Sequence, residues 1–531
     1  MNNYLNKILD KKNEKKFLIV IFCLFFLILI IKYLAMHHPL FLGKLPLSID
    51  EAQYLAWSRE LSFGYFSKPP FIAWILGLNS VFVDDIANTS LRNLQPLAFS
   101  ASAIFICLSS FEITQKKSVA IWTGFLFFTL PISSFYSQFA TTDAWLLFFW
   151  SISFFFFIKG VLTNSPKWWL FCGISVGFGL LTKYSMVFFL FSAFIYLQTQ
   201  KKLFTKMPWI SFLVSMFIFS PNIIWNIQQK FPTVIHHAEM TNIDNQLLLS
   251  LKPVIEFFVG QFIVFGPLMF LFFLFISIRN LIYLKTKVST CSSKSSIIKM
   301  LSIFSWTILF FIICLSFFGE TEINWAAPAS ISICLLITTF IDEEKSQFSN
   351  KFSIRLNYIF AFSIVIHILF LLCLITGPKL YDYTDKSSDP SYNPFLQVNG
   401  YQDLMKIISH KTQEENNFLI VAEDRGILAN MAIYFPPDKI RSWKKNSKIR
   451  HHWDLTKPLT NNDLKNQLLL VTKVNSLSTE SINNLSNKLK THFKNIKKID
   501  DIEIDNIILQ GKSNQKIVLF WINKYKKDFN L

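Results

Sequence analysis

The sequence predicts a polytopic α-helical membrane protein that closes with a polar α/β domain, and three observations carry that fold class. Apolar runs close to the ~20 residues that cross a hydrocarbon core recur through residues 1–377. Lysines and arginines fall in alternate connecting loops, as an oriented membrane protein requires. Beyond residue 377 the chain turns polar and carries short β-like runs.

In chain order, the basic opening Met1–Lys16 leads into Phe17–Ile31, which lacks a small-residue cleavage site and reads as a retained span with a cytoplasmic N-terminus. This first span is taken as 17–35. Further spans are expected near 90–111, 118–137, 143–161, 168–182, 185–199, 208–224, 254–278, 299–318, 323–341 and 356–377, about eleven crossings in all. Lys116-Lys117, Lys159 with Lys167, Lys201-Lys202 with Lys206, Arg279 through Lys299, and Lys345 with Lys351 and Arg355 then lie on the cytoplasmic side. Phe71–Val83 is too short to span and precedes Asp84-Asp85, so it reads as an interfacial or re-entrant helix in a first outer loop, residues 36–89. An odd number of crossings puts 378–531 on the outer side. There Phe418–Ala422, Leu468–Val471 and Ile517–Ile522 read as strands and Ile427–Tyr434 as a helix, a domain of about 150 residues.

Composition narrows the function. Hydrophobic residues make up 52% and charged residues 16%, so the net charge of +18 belongs to orienting loops rather than to a nucleic-acid surface. The seven cysteines show no metal-ligand spacing and imply neither a disulfide framework nor redox chemistry. No Gly-rich phosphate loop or Rossmann pattern occurs.

Against this background the ionisable residues near the bilayer stand out. Asp50, Glu51 and Lys68 fall in the first outer loop, Asp143 opens the fourth span, and Lys183 sits in the next outer turn. His236-His237 and Glu320/Glu322 fall on the same side. Each has a structural reading beside the functional one. Ser48-x-x-Glu51 matches a capping box on an amphipathic helix with Tyr54, Trp57 and Leu61 on one stripe. Asp143 after Thr141-Thr142 suits a helix start, and Lys183 suits a snorkelling lysine. Lys68, stiffened by Pro69-Pro70, is a point charge suited to phosphate. Adjacent histidines without a spaced third ligand are a weak metal signal, and His37-His38 a weaker one.

Ser48–Tyr54 with Trp57-Ser58-Arg59, Gly64–Pro70, Thr142-Asp143, Leu181-Thr182-Lys183, Pro221–Asn226 and Asn324–Pro328 together resemble the bacterial GT-C glycosyltransferases related to protein O-mannosyltransferases and the lipid A aminoarabinose transferase. Glu423-Asp424-Arg425-Gly426, followed by Ala432–Phe435, is similar to the C-terminal domain of such members. The resemblance implies a GT-C transmembrane catalytic domain, 1–377, and a periplasmic α/β domain, 378–531, in a bacterial inner membrane. It implies inverting transfer of a sugar from a polyprenyl (undecaprenyl) phosphate carrier to lipid A, a protein or another envelope glycan. By the same resemblance Asp50 positions or deprotonates the acceptor with Glu51 in support, Asp143 faces the sugar or a metal, and Lys68 and Lys183 hold the donor phosphate. Gln53 stands where the aminoarabinose pattern has arginine, which argues for a different sugar.

Fixed cations at the phosphate stabilise the charge that develops as the anomeric bond breaks, and a hydroxyl acceptor needs a carboxylate base. An acceptor phosphate would need none. The acidic residues admit a divalent cation, but no spaced ligand set demands one. A transporter or lipid-linked-sugar flippase would favour midplane charges and inverted repeats over an outer acid pair. An envelope scaffold would tolerate neutralising Asp50 and Lys68.

Overall fold

The computed structural model describes residues 19, 21–23, 25–27, 29–30, 32–34, 45–80, 89–240, 250–286, 293–347, 350–382, 393, 396, 398–413, 415, 417–444, 448–474, 479–499, 504, 507–511 and 516–525. His37-His38, Asp84-Asp85 and Cys291 lie outside the described residues, as does the side chain of His237. The chain forms two compact units. One holds Met1–His38, Lys68–Ile72 and Arg92–Ile375; the other holds Pro39–Ser67, Ala73–Leu91 and Thr376–Leu531. Pro39–Ser67 and Ala73–Leu91 thus group with the C-terminal residues rather than with the apolar helices.

The helices are α1 (Ile21–Leu34), α2 (Ile49–Ser58), α3 (Phe71–Ser80), α4 (Leu94–Thr114), α5 (Lys117–Thr129), α6 (Pro131–Tyr136), α7 (Thr142–Thr163), α8 (Pro166–Thr182), α9 (Val187–Thr199), α10 (Lys206–Gln228), α11 (Pro232–Met240), α12 (Leu251–Phe265), α13 (Pro267–Thr286), α14 (Ser293–Ser316), α15 (Ala329–Gln347), α16 (Asn350–Asp382), α17 (Tyr401–Lys411), α18 (Arg425–Tyr434), α19 (His452–Thr456) and α20 (Thr479–His492). Among the described residues α4, α7, α10 and most of α14 are long and apolar enough to cross a membrane, and α12 with α13 adds a fifth if that bent pair is one span. The protein is a multi-pass membrane protein.

Two expected spans break at prolines. The residue before a proline avoids helical backbone, and Leu130, ahead of Pro131, is extended at ψ 143°, which separates α5 from α6. Gly266, ahead of Pro267, takes φ +83°, and α12 and α13 meet there at 111°. Elsewhere the helices pack closely. On α8, a Cβ at Gly173 would strike the Ser211 carbonyl and one at Gly177 would come within 2.7 Å of Ile218 Cβ, so the small residues let α10 approach.

Basic side chains collect at one end of this bundle. Lys116 pairs with Asp342 at 2.9 Å, Lys159 with Glu112 at 2.8 Å and Arg279 with Glu344 at 2.6 Å. Lys159 lies near the C-terminus of α7, whose 22 residues rise about 33 Å from the start that carries Asp143.

In the second unit β1 (Phe418–Ala422), β2 (Ile440–Ser442), β3 (Gln467–Val474), β4 (Phe493–Ile499) and β5 (Lys516–Tyr525) form a mixed sheet in the order β2-β1-β3-β5-β4. β1 runs parallel to β2 and β3, while β5 is antiparallel to β3 and β4. Val421, Leu468, Leu470, Val518 and Phe520 lie in its buried core. Beside the sheet, α2 and α18 run parallel. Arg425 at the start of α18 reaches Asp50 at the start of α2, and Arg59 after α2 donates to the carbonyls of Ala432 and Ile433 at the other end. The guanidinium there satisfies terminal helix carbonyls and complements their dipole.

Candidate functional site

In the helical unit, the buried start of α7 presents Asp143. Its Oδ1 accepts from Lys183 Nζ at 2.8 Å and its Oδ2 from Asn324 Nδ2 at 3.2 Å. The two charged side chains are 7% and 13% exposed, so this is a desolvated ion pair fixed by a third group rather than a solvated surface contact. Lys183 ends α8 in extended conformation, φ −155°, and a short 3₁₀ turn, Tyr184–Met186, follows. Asn222 and Asn226 of α10 both bond the Tyr184 hydroxyl, at 3.1 and 3.3 Å, and hold that turn. The Pro221–Asn226 motif therefore braces the residue beside Lys183.

Asn324 rides on the 3₁₀ turn Ile323–Ala326 ahead of α15. The fully buried Gln261 of α12 donates to the Ile323 carbonyl at 3.1 Å and to its own Phe257 carbonyl at 2.9 Å. Sequence reasoning missed Gln261, since a lone glutamine in an apolar helix marks a site only once its partner is known. Tyr136 at the end of α6 lies in the fields of Asp143 and Glu322. Lys68 is half-buried at the head of the segment that leads into α3. Phe71 packs against Trp145 and Phe149 of α7 and Phe178 of α8, with ring centroids at 5.5, 5.0 and 6.4 Å. Lys68 thus leads into a residue seated on the two helices that carry Asp143 and Lys183.

Asp50 and Glu51 belong to the other unit. Ser48 and Glu51 close a capping box, with Glu51 accepting from the Ser48 amide at 3.0 Å and Ser48 Oγ from the Glu51 amide at 3.2 Å. Glu51 is buried in that role, whereas Asp50 is 55% exposed and pairs with Arg425 at 2.9 Å. The same Nη1 approaches Gln53 Oε1 at 3.5 Å. Helix α2 ends at Ser58, which leaves Leu61 off its buried stripe and exposed. Trp57 stacks on Tyr65 at 4.4 Å with the His452 ring against both. Burial pushes His452 down to about 3.

The remaining motif residues are spent on structure. Glu423 pairs with Arg450 at 2.6 Å, Asp424 caps α18 through the Ile427 amide at 3.0 Å and pairs with Lys473 at 2.8 Å, and a Cβ at Gly426 would strike the Tyr401 hydroxyl. Burial alone would raise the Asp454 carboxyl, but hydrogen bonds from Arg450 and Ser442 outweigh it and hold the group below the ordinary range. His236 is half-buried on α11, and Glu320 and Glu322 are exposed. Among the described residues no three His, Cys, Asp or Glu side chains gather as a metal cage.

Residues 67–225 match the family described as dolichyl-phosphate-mannose-protein mannosyltransferase. The solved structure of ArnT from Cupriavidus metallidurans superposes with a TM-score of 0.58 at 14% identity, over 94% of this chain and 97% of that one. The chain shares the fold of ArnT. It is 32% identical over 224 residues to lipid A galacturonosyltransferase RgtD of Rhizobium johnstonii, 42% of this chain and 47% of that protein. It is 27% identical over 184 residues to lipopolysaccharide core galacturonosyltransferase RgtB of the same organism, 34% of this chain and 37% of that one. The chain spans less than half the length of these two curated relatives. ArnT has also been solved bound to undecaprenyl phosphate, and that structure superposes with a TM-score of 0.57 at 14% identity, over 94% of this chain and 97% of that one.

Proposed function

We propose that the protein is an inverting glycosyltransferase that moves a sugar from undecaprenyl phosphate to lipid A on the periplasmic face of a bacterial inner membrane. The reading includes about eleven crossings and a periplasmic C-terminal domain. The observation that carries it is the desolvated Asp143–Lys183–Asn324 cluster at the end of α7 remote from the lysine-rich end of the bundle. The likeness to two galacturonosyltransferases supports a lipid A acceptor and a galacturonic acid donor. The ArnT fold supports a polyprenyl phosphate carrier.

An acceptor hydroxyl attacks the anomeric carbon, Asp50 takes its proton, and the C–O bond to phosphate breaks with the electron pair leaving on the carrier. A Lys ammonium has three donors, and Asp143 accepts from Lys183, which leaves two toward a phosphate. Lys183 and Lys68 then stabilise charge that grows in the transition state. Glu51 fixes the first turn of α2 and with it the direction of Asp50.

The test follows undecaprenyl phosphate release when the purified chain meets undecaprenyl-phosphate-linked galacturonic acid and lipid A. Asp50→Asn is expected to slow release by about 10²–10⁴-fold, and Lys68→Ala to lower it strongly. Unchanged release in both folded variants would remove the site assignment.

A further inference from the structure

We propose that Arg425 is a receptor for a phosphate monoester beside Asp50. The proposal rests on the reading of Asp50 as the acceptor's acid, and it starts from a residue in an unfavourable place. Arg425 is the first residue of α18, where the helix dipole disfavours a cation. The helix start does not need it, because Asp424 already caps the Ile427 amide through Oδ1 and binds Lys473 through Oδ2.

Nor is the Asp50–Arg425 pair a strong brace. Its side chains are 55% and 44% exposed, and exposed pairs add little stability. The other local arginines are committed: Arg450 to Glu423, Asp454 and the Trp443 carbonyl, and Arg59 to the carbonyls of Ala432 and Ile433. Arg425 uses Nη1 alone, on Asp50 and Gln53, and among the described residues Nη2 and Nε make no hydrogen bond. A planar guanidinium with one edge open matches two oxygens of a phosphate. A local rule broken without a stability gain is what a functional position looks like.

Occupation has a consequence for catalysis. A phosphate on the open edge draws on the same guanidinium charge that Asp50 pairs with through Nη1 and so loosens that pair. Arg425 thus both anchors an anionic substrate and loosens its hold on the acid next to it.

Two phosphate sources share this chemistry, the lipid A acceptor and the polyprenyl carrier. The experiment measures binding of the full-length protein in nanodiscs to bisphosphorylated lipid A, dephosphorylated lipid A, undecaprenyl phosphate and undecaprenol. Arg425→Gln is expected to weaken one phosphorylated probe by about 10–100-fold and to leave both unphosphorylated probes unchanged. Arg425→Lys should recover part of the loss, and Asp50→Asn should bind the phosphorylated probe at least as tightly as wild type. A loss with lipid A assigns the phosphate to the acceptor, and a loss with undecaprenyl phosphate assigns it to the carrier. Equal binding of both phosphorylated probes by wild type and Arg425→Gln overturns the proposal. Asp50→Asn turnover separates this failure from the other: an active Asp50→Asn overturns the transferase site, while an inactive one beside unaltered Arg425→Gln binding overturns the receptor alone.

Discussion

At the residue scale, Lys183 and Asp143 share a desolvated ion pair, so each is costly to remove alone. Lys183→Met leaves a buried carboxylate without its cation and is expected to destabilise the protein by about 3–5 kcal/mol, read as a lower thermal unfolding midpoint in detergent. Asp143→Asn combined with Lys183→Met removes both charges and should recover a large part of that loss; a double variant no more stable than Lys183→Met would show that the pair is not the source. Asp143 and Lys183 were legible as candidates in the sequence because charge at the end of an apolar run is rare. Their contact was not, since 40 residues separate them and both also fit ordinary helix-end roles. Asp50 and Arg425 lie 375 residues apart, and no periodicity relates a first loop to a C-terminal helix start.

At the element scale, the proline breaks and the capping box follow from local chemistry, and the strongly apolar strands β1, β3 and β5 were visible as runs of β-branched and aromatic residues. β2 is three residues long and β4, Phe493–Ile499, is largely exposed and lysine-rich, so neither has the pattern of a buried strand. The sequence pattern of α12 and α13 fits one span, because hydropathy does not register a bend at Gly266. Two expectations belong here. Gly177→Leu pushes α10 away from α8 and should cost about 1–3 kcal/mol by overpacking, with loss of transfer because Asn222 and Asn226 no longer hold the turn beside Lys183; a variant as stable and active as wild type would contradict the close approach. The second concerns acid. His452 is neutral when folded and takes up a proton more readily when unfolded, so stability falls as pH drops from about 6.5 toward about 3. The expected slope is up to about 1.4 kcal/mol per pH unit. Asp454, held below its ordinary range, adds a further loss once pH falls below the ordinary carboxylate value of about 3.9, where the unfolded chain takes up that proton first. His452→Phe should flatten the upper part of the profile in tryptophan-fluorescence unfolding, and an unchanged slope would assign the pH dependence elsewhere.

At the scale of the whole molecule, the helical unit carries a fixed anion–cation cluster at one end and lysine-rich ion pairs at the other. The second unit carries the first-loop helix packed along α18. The sequence resemblance anticipated the ArnT-like fold, and its motifs are the residues that make these contacts: Thr142-Asp143, Leu181–Lys183, Pro221–Asn226 and Asn324. It did not anticipate that the loop bearing Asp50 groups with the C-terminal residues. The decisive measurement is mass spectrometry of lipid A from a strain lacking this protein, complemented with wild type or with Asp50→Asn at equal membrane abundance. Transfer by the proposed route predicts one sugar mass absent from the deletion strain, restored by wild type and still absent with Asp50→Asn. Identical lipid A in all three strains would mean that lipid A is not the acceptor, and restoration by Asp50→Asn would mean that this carboxylate does not perform the chemistry.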